Sequence, residues 1–211
     1  MSQMPRGLSA DSDGVIRCAW PGKHLDYRDY HDQEWGYPKV EDTQLFEKIC
    51  LEGFQSGLSW LTILRKRESF RRAFRDFDID KIQRFNKRSI DRLLADSSIV
   101  RHRGKIEAVI HNAFCAKELL QDFGSLSAFF WQYEPEPESR PTTVDHRTLS
   151  ALTASEESLA MSKALKRRGW RFVGPTTMYS FMQSVGMVND HLEGCFVRKK
   201  VDDQREALIR P

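Results

Sequence analysis

Two pairs of possible metal ligands lie at opposite ends of the chain. Cys18 and His31 form one pair, and His191 and Cys195 form the other. Together they supply two thiolates and two imidazoles, a ligand set that zinc favours in closed tetrahedral sites. Because His191 and Cys195 are four residues apart, both would point the same way on a helix. Spacing alone also allows that the four residues are unrelated.

A carboxylate lies within a stretch that is otherwise mostly apolar. Glu52 follows Leu45 by two helical turns, at the margin of the apolar arc of a predicted helix. A carboxylate that faces a core is costly unless it is paired or used, so Glu52 is a candidate ligand-binding or catalytic residue. The alternative is an ordinary surface ion pair with Lys48, one turn earlier.

Aromatic residues are concentrated in the same part of the sequence. The five that can stack on a base or another flat ligand are Trp20, Tyr27, Tyr30, Trp35 and Trp60. Aromatic side chains also fill cores, and that role is the alternative for most of them. Cys50 and Cys115 occupy apolar helical positions and are predicted core residues.

Positive charge is clustered at 65–75, 101–105 and 163–171. Basic helix faces are often only solvated. The third cluster differs because it leads into RGWRFVGPTT, a glycine-containing turn between two predicted helices. Such a turn can direct backbone N–H groups at phosphate, so nucleic acid is a reasonable partner. No P-loop, GxGxxG or GxSxG motif occurs.

Composition sets the broad class of protein. The chain has 211 residues, 40% of them hydrophobic and 30% charged, and a net charge of +3. No apolar run approaches the ~20 residues of a membrane span, and the first 14 residues lack the apolar core of a signal peptide. We therefore expect a cytoplasmic protein without membrane association. In that compartment its four cysteines are reduced, which favours a metal role over a disulfide.

The elements that must position these residues are predicted to be helices, so the fold class is all-α. Residues 1–16 and 197–211 are predicted polar tails around a helical domain at 17–196, and 133–149 is a predicted proline-rich surface loop. No alternating strand pattern was found. The predicted helices cover about 26–35, 43–56 after a cap at Asp42, a segment capped by Ser59, 78–86, 88–95, 103–121, 125–132, a segment capped by Ser155, one ending near 184, and a short one opening at Asn189 or Asp190.

Several longer motifs carry a family resemblance that covers roughly Arg17 to Cys195. They are YHDQEWG (30–36), ICLEGFQSGLSW (49–60), IVRHRGKIEAVIHNA (99–113), MSKALKRRGWRFVGPTT (161–177), where Met161 replaces the usual Leu, and VNDHLEGC (188–195). The chain resembles the DNA-3-methyladenine glycosylase I family, a branch of the helix-hairpin-helix DNA glycosylases. The tails and the proline-rich loop depart from the family pattern.

The resemblance implies a role for each motif. It implies two helical lobes and one structural zinc ion that joins the chain ends, held by Cys18, His31, His191 and Cys195. It implies that Glu52, the catalytic candidate, and Tyr30 recognise the damaged base, that Trp60 stacks on it, and that Trp20 lines the pocket. The implied DNA-gripping residues are Arg168, Gly169, Gly174, Thr176 and Thr177.

The implied activity is hydrolysis of the glycosidic bond of 3-methyladenine in duplex DNA by a monomer. Relatives that also cut the strand use a lysine amine two residues after the last hairpin glycine. Here that glycine resembles Gly174, and the position holds Thr176, so a monofunctional enzyme is expected. Asp190 lies beside a predicted zinc ligand, and no general base is assigned. The alternatives are a non-catalytic DNA-damage binder, a different hydrolase, and a glycosylase that acts on a wider range of alkylated bases.

Overall fold

The computed structural model of the chain describes residues 4–10 and 12–211. The architecture is predominantly helical, as predicted, with one small two-stranded sheet. The elements in chain order are β1 (Leu8–Ala10), β2 (Ile16–Cys18), α1 (Leu25–Gln33), α2 (Asp42–Gln55), α3 (Trp60–Ala73), α4 (Ile79–Ile82), α5 (Lys87–Ala95), α6 (Arg103–Phe123), α7 (Leu126–Phe130), α8 (His146–Ala151), α9 (Glu156–Arg167), α10 (Pro175–Ser184) and α11 (Val197–Ala207).

Helix α2 lies at the centre of the fold. It packs against α3, α6, α7 and α10, and each residue from Leu45 to Phe54 is buried. A helix covered on every side is normally apolar all round, yet this one carries Glu47, Lys48 and Glu52 inside the protein. The burial of these three charges is the feature of the fold that positions the site.

Two of the caps predicted from the sequence are confirmed. The Ser59 hydroxyl accepts from the Thr62 N–H at the start of α3, and Ser155 forms a capping box with Ser158 at the start of α9. The predicted cap at Asp42 was wrong. Asp42 is the first residue of α2, and its carboxylate accepts from the backbone N–H of Leu126 at 2.9 Å, at the start of α7.

The N-terminal segment contains the two strands that the sequence did not predict. Strands β1 and β2 pair antiparallel, with Leu8 opposite Cys18 and Ala10 opposite Ile16. Each strand has three residues, which is too short to show an alternating pattern. The expected polar tail at 1–16 therefore holds one strand and the start of another, while 1–3 and 11 lie outside the described residues.

The C-terminal segment also differs from expectation. The predicted polar tail at 197–211 forms α11, whose Val197 and Val201 are buried. In the sequence, Val197 and Val201 are one helical turn apart within an otherwise polar stretch. The short helix predicted to open at Asn189 or Asp190 is absent, because 189–196 is irregular, with turns at 193, 194 and 196. None of the helices in the described ranges is long and apolar enough to cross a membrane.

The proline-rich segment is more structured than the predicted loop at 133–149. It contains a short 3₁₀ helix, Pro137–Ser139, and leads into α8. Glu134 pairs with Arg205 of α11 at 2.8 Å. The Glu193 carboxylate accepts from the Val144 N–H, and the Glu193 N–H donates to the Val144 carbonyl, both at 2.9 Å. The segment is thus fastened to the C-terminal part of the chain.

Candidate active site

A cavity of about 550 Å³ opens between the N-terminal segment, α2, α8 and α10. This volume lies within the usual range for small-molecule sites. Its lining residues are Gly7, Cys18, Ala19, Trp20, Tyr27, Tyr30, Trp35, Glu52, Gln55, Trp60, His146, Leu149, Ser150, Ser180, Gln183, Asp190 and Leu192. All four residues predicted to bind the base are among them.

Tyr30, Glu52 and Trp60 form what we call the pocket floor, because each is less than 10% exposed. Among the described residues, Glu52 Oε2 and Trp60 Nε1 are buried polar atoms without a hydrogen-bond partner. Burial raises the pKa of Glu52 to about 8, against the smaller opposing effect of the Lys48 charge. The floor therefore offers an acceptor and a donor that the protein itself leaves unused.

Lys48 is not the surface partner that the sequence allowed for Glu52. It is 3% exposed, and its ammonium group donates to Glu34, which also accepts from Arg67 at 2.6 Å. The Lys48 Nζ lies 4.8 Å from the centre of the Tyr30 ring and 5.4 Å from that of Trp60. A cation thus already lies against both floor rings, close to Glu52.

The aromatic residues of the site occupy two levels. On the floor, the Tyr30 and Trp60 ring centres are 5.5 Å apart and tilted by 42°. Nearer the solvent, Trp20 is 40% exposed and packs edge-on against Tyr27 at 4.7 Å and Trp35 at 5.2 Å. All five residues singled out from the sequence line the cavity, and Tyr30 and Trp60 also belong to the hydrophobic core.

Asp190 lines the cavity but is fully engaged by neighbouring donors. Its carboxylate accepts from the Tyr179 hydroxyl at 2.8 Å, from Gln183 Nε2 at 2.7 Å and from the Arg140 guanidinium. Arg140 also donates to the Tyr179 hydroxyl. Sequence reasoning missed Arg140, because its partners lie far along the chain. The network ties the proline-rich segment to α10.

The pocket mouth, defined here as Gly7, His146 and Ser150, was also missed from the sequence. His146 and Ser150 belong to α8, and His146 is partly exposed while Ser150 is exposed. Gly7 has φ +87°, and a Cβ there would lie 2.7 Å from the His146 ring. Glycine is therefore required for this close approach. The only sequence signal was a histidine inside the proline-rich stretch.

The predicted DNA-gripping turn joins α9 to α10. Its backbone is held by α6, where Asn112 accepts from the Arg171 N–H at 2.9 Å and donates to the Arg171 carbonyl at 3.0 Å. Gly169, at φ +83°, allows the chain to reverse. The Arg168 side chain is engaged outside this turn. Its guanidinium pairs with Asp122 at 2.6 Å and lies over the ring of Phe123.

The start of α10 presents backbone donors. Gly174 is its N-cap residue, Pro175 is its first residue, and no side chain caps it. The backbone N–H groups of Thr176 and Thr177 belong to the first turn, where a helix has no internal acceptor for them. The helix start thus has the features of an anion site.

Three of the four predicted metal ligands meet inside the protein. The ligand atoms of Cys18, His31 and Cys195, called here the thiol–imidazole cluster, lie within 4.8 Å of one another, and all three residues are buried. His31 Nδ1 is 2.7 Å from Asp32 Oδ1, so this nitrogen carries the proton and Nε2 faces Cys195 Sγ at 3.6 Å. A hydrogen bond from the Cys18 thiol lowers the pKa of Cys195.

His191 lies beside the cluster rather than within it. Burial, reinforced by His31, lowers the pKa of His191 to about 4, so the ring is neutral. Its Nδ1 is 2.9 Å from Asn189 Oδ1, and since that oxygen can only accept, Nδ1 holds the proton. His191 Nε2 lies 3.3 Å from the His31 carbonyl oxygen, so the ring borders the cluster through the backbone of one of its members.

Fold and site together define a class of protein. A mostly helical chain places a helical hairpin with a bare helix start next to a deep aromatic pocket with a buried carboxylate. That combination suits a protein that binds a polyanion and receives a flat base-like ligand.

Comparison with known proteins identifies the family within that class. The family model described as methyladenine glycosylase matches residues 20–199. A DNA-3-methyladenine glycosylase of Haemophilus influenzae is 46% identical over 182 residues, which cover 86% of this chain and 97% of that protein. The chain belongs to the methyladenine glycosylase family.

Solved structures agree with this assignment. A crystal structure of 3-methyladenine DNA glycosylase I is 43% identical with a TM-score of 0.79, covering 85% of this chain and 98% of that one. A tyrosine-to-phenylalanine variant of such an enzyme, in complex with 3-methyladenine, is 35% identical with a TM-score of 0.79, covering 86% and 97%.

Proposed function

We propose that this chain hydrolyses the N-glycosidic bond of 3-methyladenine in alkylated duplex DNA. The observation that carries the proposal is the buried Glu52 Oε2, which has no partner among the described residues and belongs to a cavity that Tyr30 and Trp60 also line. Methylation at N3 makes the base a cation. An ionised Glu52 can accept from its protonated edge, and Trp60 and Tyr30 can present their ring faces to it.

Hydrolysis at this site requires little chemical activation, because a cationic purine is already a good leaving group. The nucleotide must first leave the helix, and a damaged base stacks poorly and costs less to extrude. In the pocket, the ionised Glu52 favours the cationic base over adenine. The glycosidic bond then lengthens toward an oxocarbenium-like sugar, which water captures.

Base release from methylated DNA tests this proposal directly. The protein should liberate 3-methyladenine, with far less 7-methylguanine and no hypoxanthine. Binding of the methylated DNA without release of any base would support the non-catalytic damage binder instead. Comparable release of all three bases would indicate a glycosylase of wider specificity.

The hairpin α9–turn–α10 is the proposed DNA grip, in the manner of a helix-hairpin-helix. Its support is the uncapped start of α10, where Gly174, Thr176 and Thr177 offer backbone atoms rather than side chains. A Gly174→Asp variant keeps the fold, because a Cβ there meets nothing nearer than the Thr177 hydroxyl at 3.9 Å. It should weaken DNA binding roughly tenfold, because the carboxylate adds negative charge and can cap the free N–H groups, whereas Gly174→Ala, which adds no acceptor, should not. Equal DNA affinity of Gly174→Asp and the parent would contradict the proposal.

Strand cleavage is not expected to follow base release. Thr176, on the exposed first turn of α10, cannot form an imine, and Lys163 and Lys166 are exposed on α9. Borohydride added during the reaction should trap no protein–DNA adduct. An adduct lost in Lys163→Ala or Lys166→Ala would show that this chain is a lyase as well.

A structural zinc ion is proposed for the thiol–imidazole cluster. The support lies in the donor set and in the outer hydrogen bonds of His31 Nδ1 to Asp32 and of His191 Nδ1 to Asn189, which orient both imidazoles. Cys18, His31 and Cys195 would hold the ion, with His191 as the fourth ligand. When bound, it would join the β2–α1 region to the 191–195 turn.

A monomer in the cytoplasm is the proposed working form. In support, the pocket and the hairpin are built from one chain, and all four cysteines are free thiols, as expected in a reducing compartment. Light scattering at micromolar concentration should give the mass of a single chain, 24.6 kDa. A stable dimer mass would overturn this proposal.

A further inference from the structure

The family resemblance assigned a base-recognition group but no residue that handles the attacking water. The cavity is graded in depth, since the pocket floor is buried while His146 and Ser150 at the pocket mouth are not. A nucleotide that enters from outside places its base deepest and its deoxyribose nearer the opening. The groups near the opening are therefore those that can face the sugar carbon C1′.

Asp190 is unsuited to accept from a water molecule. Its carboxylate oxygens already accept from Tyr179, Gln183 and Arg140, so these three donors occupy the positions that a water molecule would need. Glu52 is also excluded, because it is committed to the base at the floor. Among the cavity-lining residues of the described chain, His146 contributes the one imidazole.

The hydrogen bonds of His146 fix which ring nitrogen carries the proton. The Ser150 hydroxyl donates to the His146 carbonyl at 2.5 Å, which uses its single hydrogen. The contact of 3.2 Å between Ser150 Oγ and His146 Nδ1 must then have Nδ1–H as the donor. In the neutral ring, Nε2 is left as an acceptor.

The α8 helix that carries His146 is held in place from several sides. Asp145 caps it through the Thr148 N–H at 2.8 Å, and Val144 is bonded to Glu193. Gly7 packs directly against the ring. Gly7 lies before residue 20, where the family match begins, so this support comes from a segment outside the family core.

We propose that His146 is a catalytic residue that accepts a hydrogen bond from the attacking water. This inference rests on the proposed function. As the bond from C1′ to the purine nitrogen breaks, its electron pair neutralises the cationic base. A bond forms from C1′ to the water oxygen, and the released proton passes to His146 Nε2 and then to solvent. No other reactant is needed.

Single-turnover base release tests the proposal. His146→Ala should lower the rate at saturating enzyme roughly ten- to hundredfold, with DNA affinity and binding of free 3-methyladenine unchanged. His146→Gln, which keeps an acceptor oxygen, should recover part of the rate. Ser150→Ala, which frees the ring, should give an intermediate loss. Thr148→Ala, on the same helix but away from the lining, is the matched control and should match the parent.

The outcomes separate this inference from the proposed function. If the parent releases no base, the proposed function fails first. If the parent is active and His146→Ala releases base at the parental rate, the inference is wrong. A loss confined to binding of DNA or of the free base, with an unchanged rate at saturation, would also overturn it, because His146 would then only shape the pocket.

Discussion

The pocket floor and the thiol–imidazole cluster are both buried and polar, but their polar atoms are arranged in opposite ways. On the floor, Glu52 Oε2 and Trp60 Nε1 have no partner among the described residues. In the cluster, His31 is bonded on its outer side to Asp32, and its inner nitrogen faces Cys195 Sγ. The pocket floor keeps its hydrogen-bond acceptor free. In the thiol–imidazole cluster, the sulfur and nitrogen atoms that could bind a metal already face each other.

This difference indicates what each region is built for. A buried, unpartnered carboxylate costs stability, so it persists only where a ligand that comes and goes gives it a use. A set of side chains fixed by outer hydrogen bonds fits the resident ion that is proposed for the cluster. The floor should therefore respond to mutation in activity, and the cluster should respond in stability.

The largest effect is expected from the cluster. Cys195→Ala removes a proposed zinc ligand, and the free energy of unfolding should fall by more than about 3 kcal/mol, which lowers Tm by about 6 to 12 °C. Elemental analysis of the parent should give one zinc per chain, and a chelator should reproduce the loss of Tm.

Cys115→Ala is the matched control, because Cys115 is also a buried thiol but lies on α6 away from the cluster. It should cost much less stability and keep the metal. If the parent protein, purified without chelator, contains no stoichiometric zinc, then the cluster does not hold a resident ion.

The next effect concerns activity. Glu52→Gln replaces the charged acceptor by a neutral amide and should slow release of 3-methyladenine roughly hundredfold. Glu47→Gln is the control, since Glu47 is buried on the same helix but pairs with Arg71 at 2.8 Å. It should leave the release rate unchanged. If Glu52→Gln releases the base as fast as the parent, the floor does not recognise a cation through this residue.

The same substitution should have the opposite effect on stability. The pKa of Glu52 in the folded protein is about 8, above its ordinary value of 4.5. Between pH 4.5 and pH 8, the folded state therefore keeps a proton on Glu52 that the unfolded state has lost. The contribution of Glu52 to stability is full below pH 4.5 and is lost as pH rises through 8.

Glu52→Gln should therefore be more stable than the parent at pH 9 by on the order of a few kcal/mol, and about equal at pH 4. Urea unfolding at both pH values measures this difference. A variant that is less stable than the parent at pH 9 would show that the carboxylate is paired in solution.

Sequence patterns predicted the parts of this fold that depend on local signals. Helix α2 and its Glu52 followed from apolar spacing, and α3 and α9 followed from the Ser59 and Ser155 caps. Short-range chemistry fixes these features. The predicted helix containing His191 and Cys195 was wrong, yet Cys195 still reaches Cys18 and His31, because the turn is held by the rest of the chain.

Other features depend on contacts between distant residues and left no local signal. Lys48 pairs with Glu34 rather than with its helical neighbour Glu52, and Arg140 reaches Asp190 across 50 positions. The pocket mouth brings Gly7 against His146. Charge type and spacing named candidates for such contacts, but the choice among possible partners is made by tertiary packing.

The smallest expected effect concerns how the floor sets the charge of Glu52. Lys48 is the main charge that lowers the pKa of this carboxyl against the effect of burial. Lys48→Met removes the charge, so the pKa of Glu52 should rise above about 8. Because the ionised form binds the cationic base, kcat/KM of the parent should increase with pH through about 8, and the inflection should move upward in the variant. At pH 7 the loss should be only severalfold.

Arg67→Met provides the control for this shift. Arg67 pairs with Glu34 at 2.6 Å, and Lys48 pairs with the same carboxylate. Unlike Lys48, Arg67 does not contribute to the pKa of Glu52. Both variants weaken the same ion-pair group, so both should lose some stability, whereas only Lys48→Met should move the inflection. If the two variants share the parental inflection, then Lys48 supports packing alone. The pKa of Glu52 would in that case be set by burial and not by the charge of Lys48.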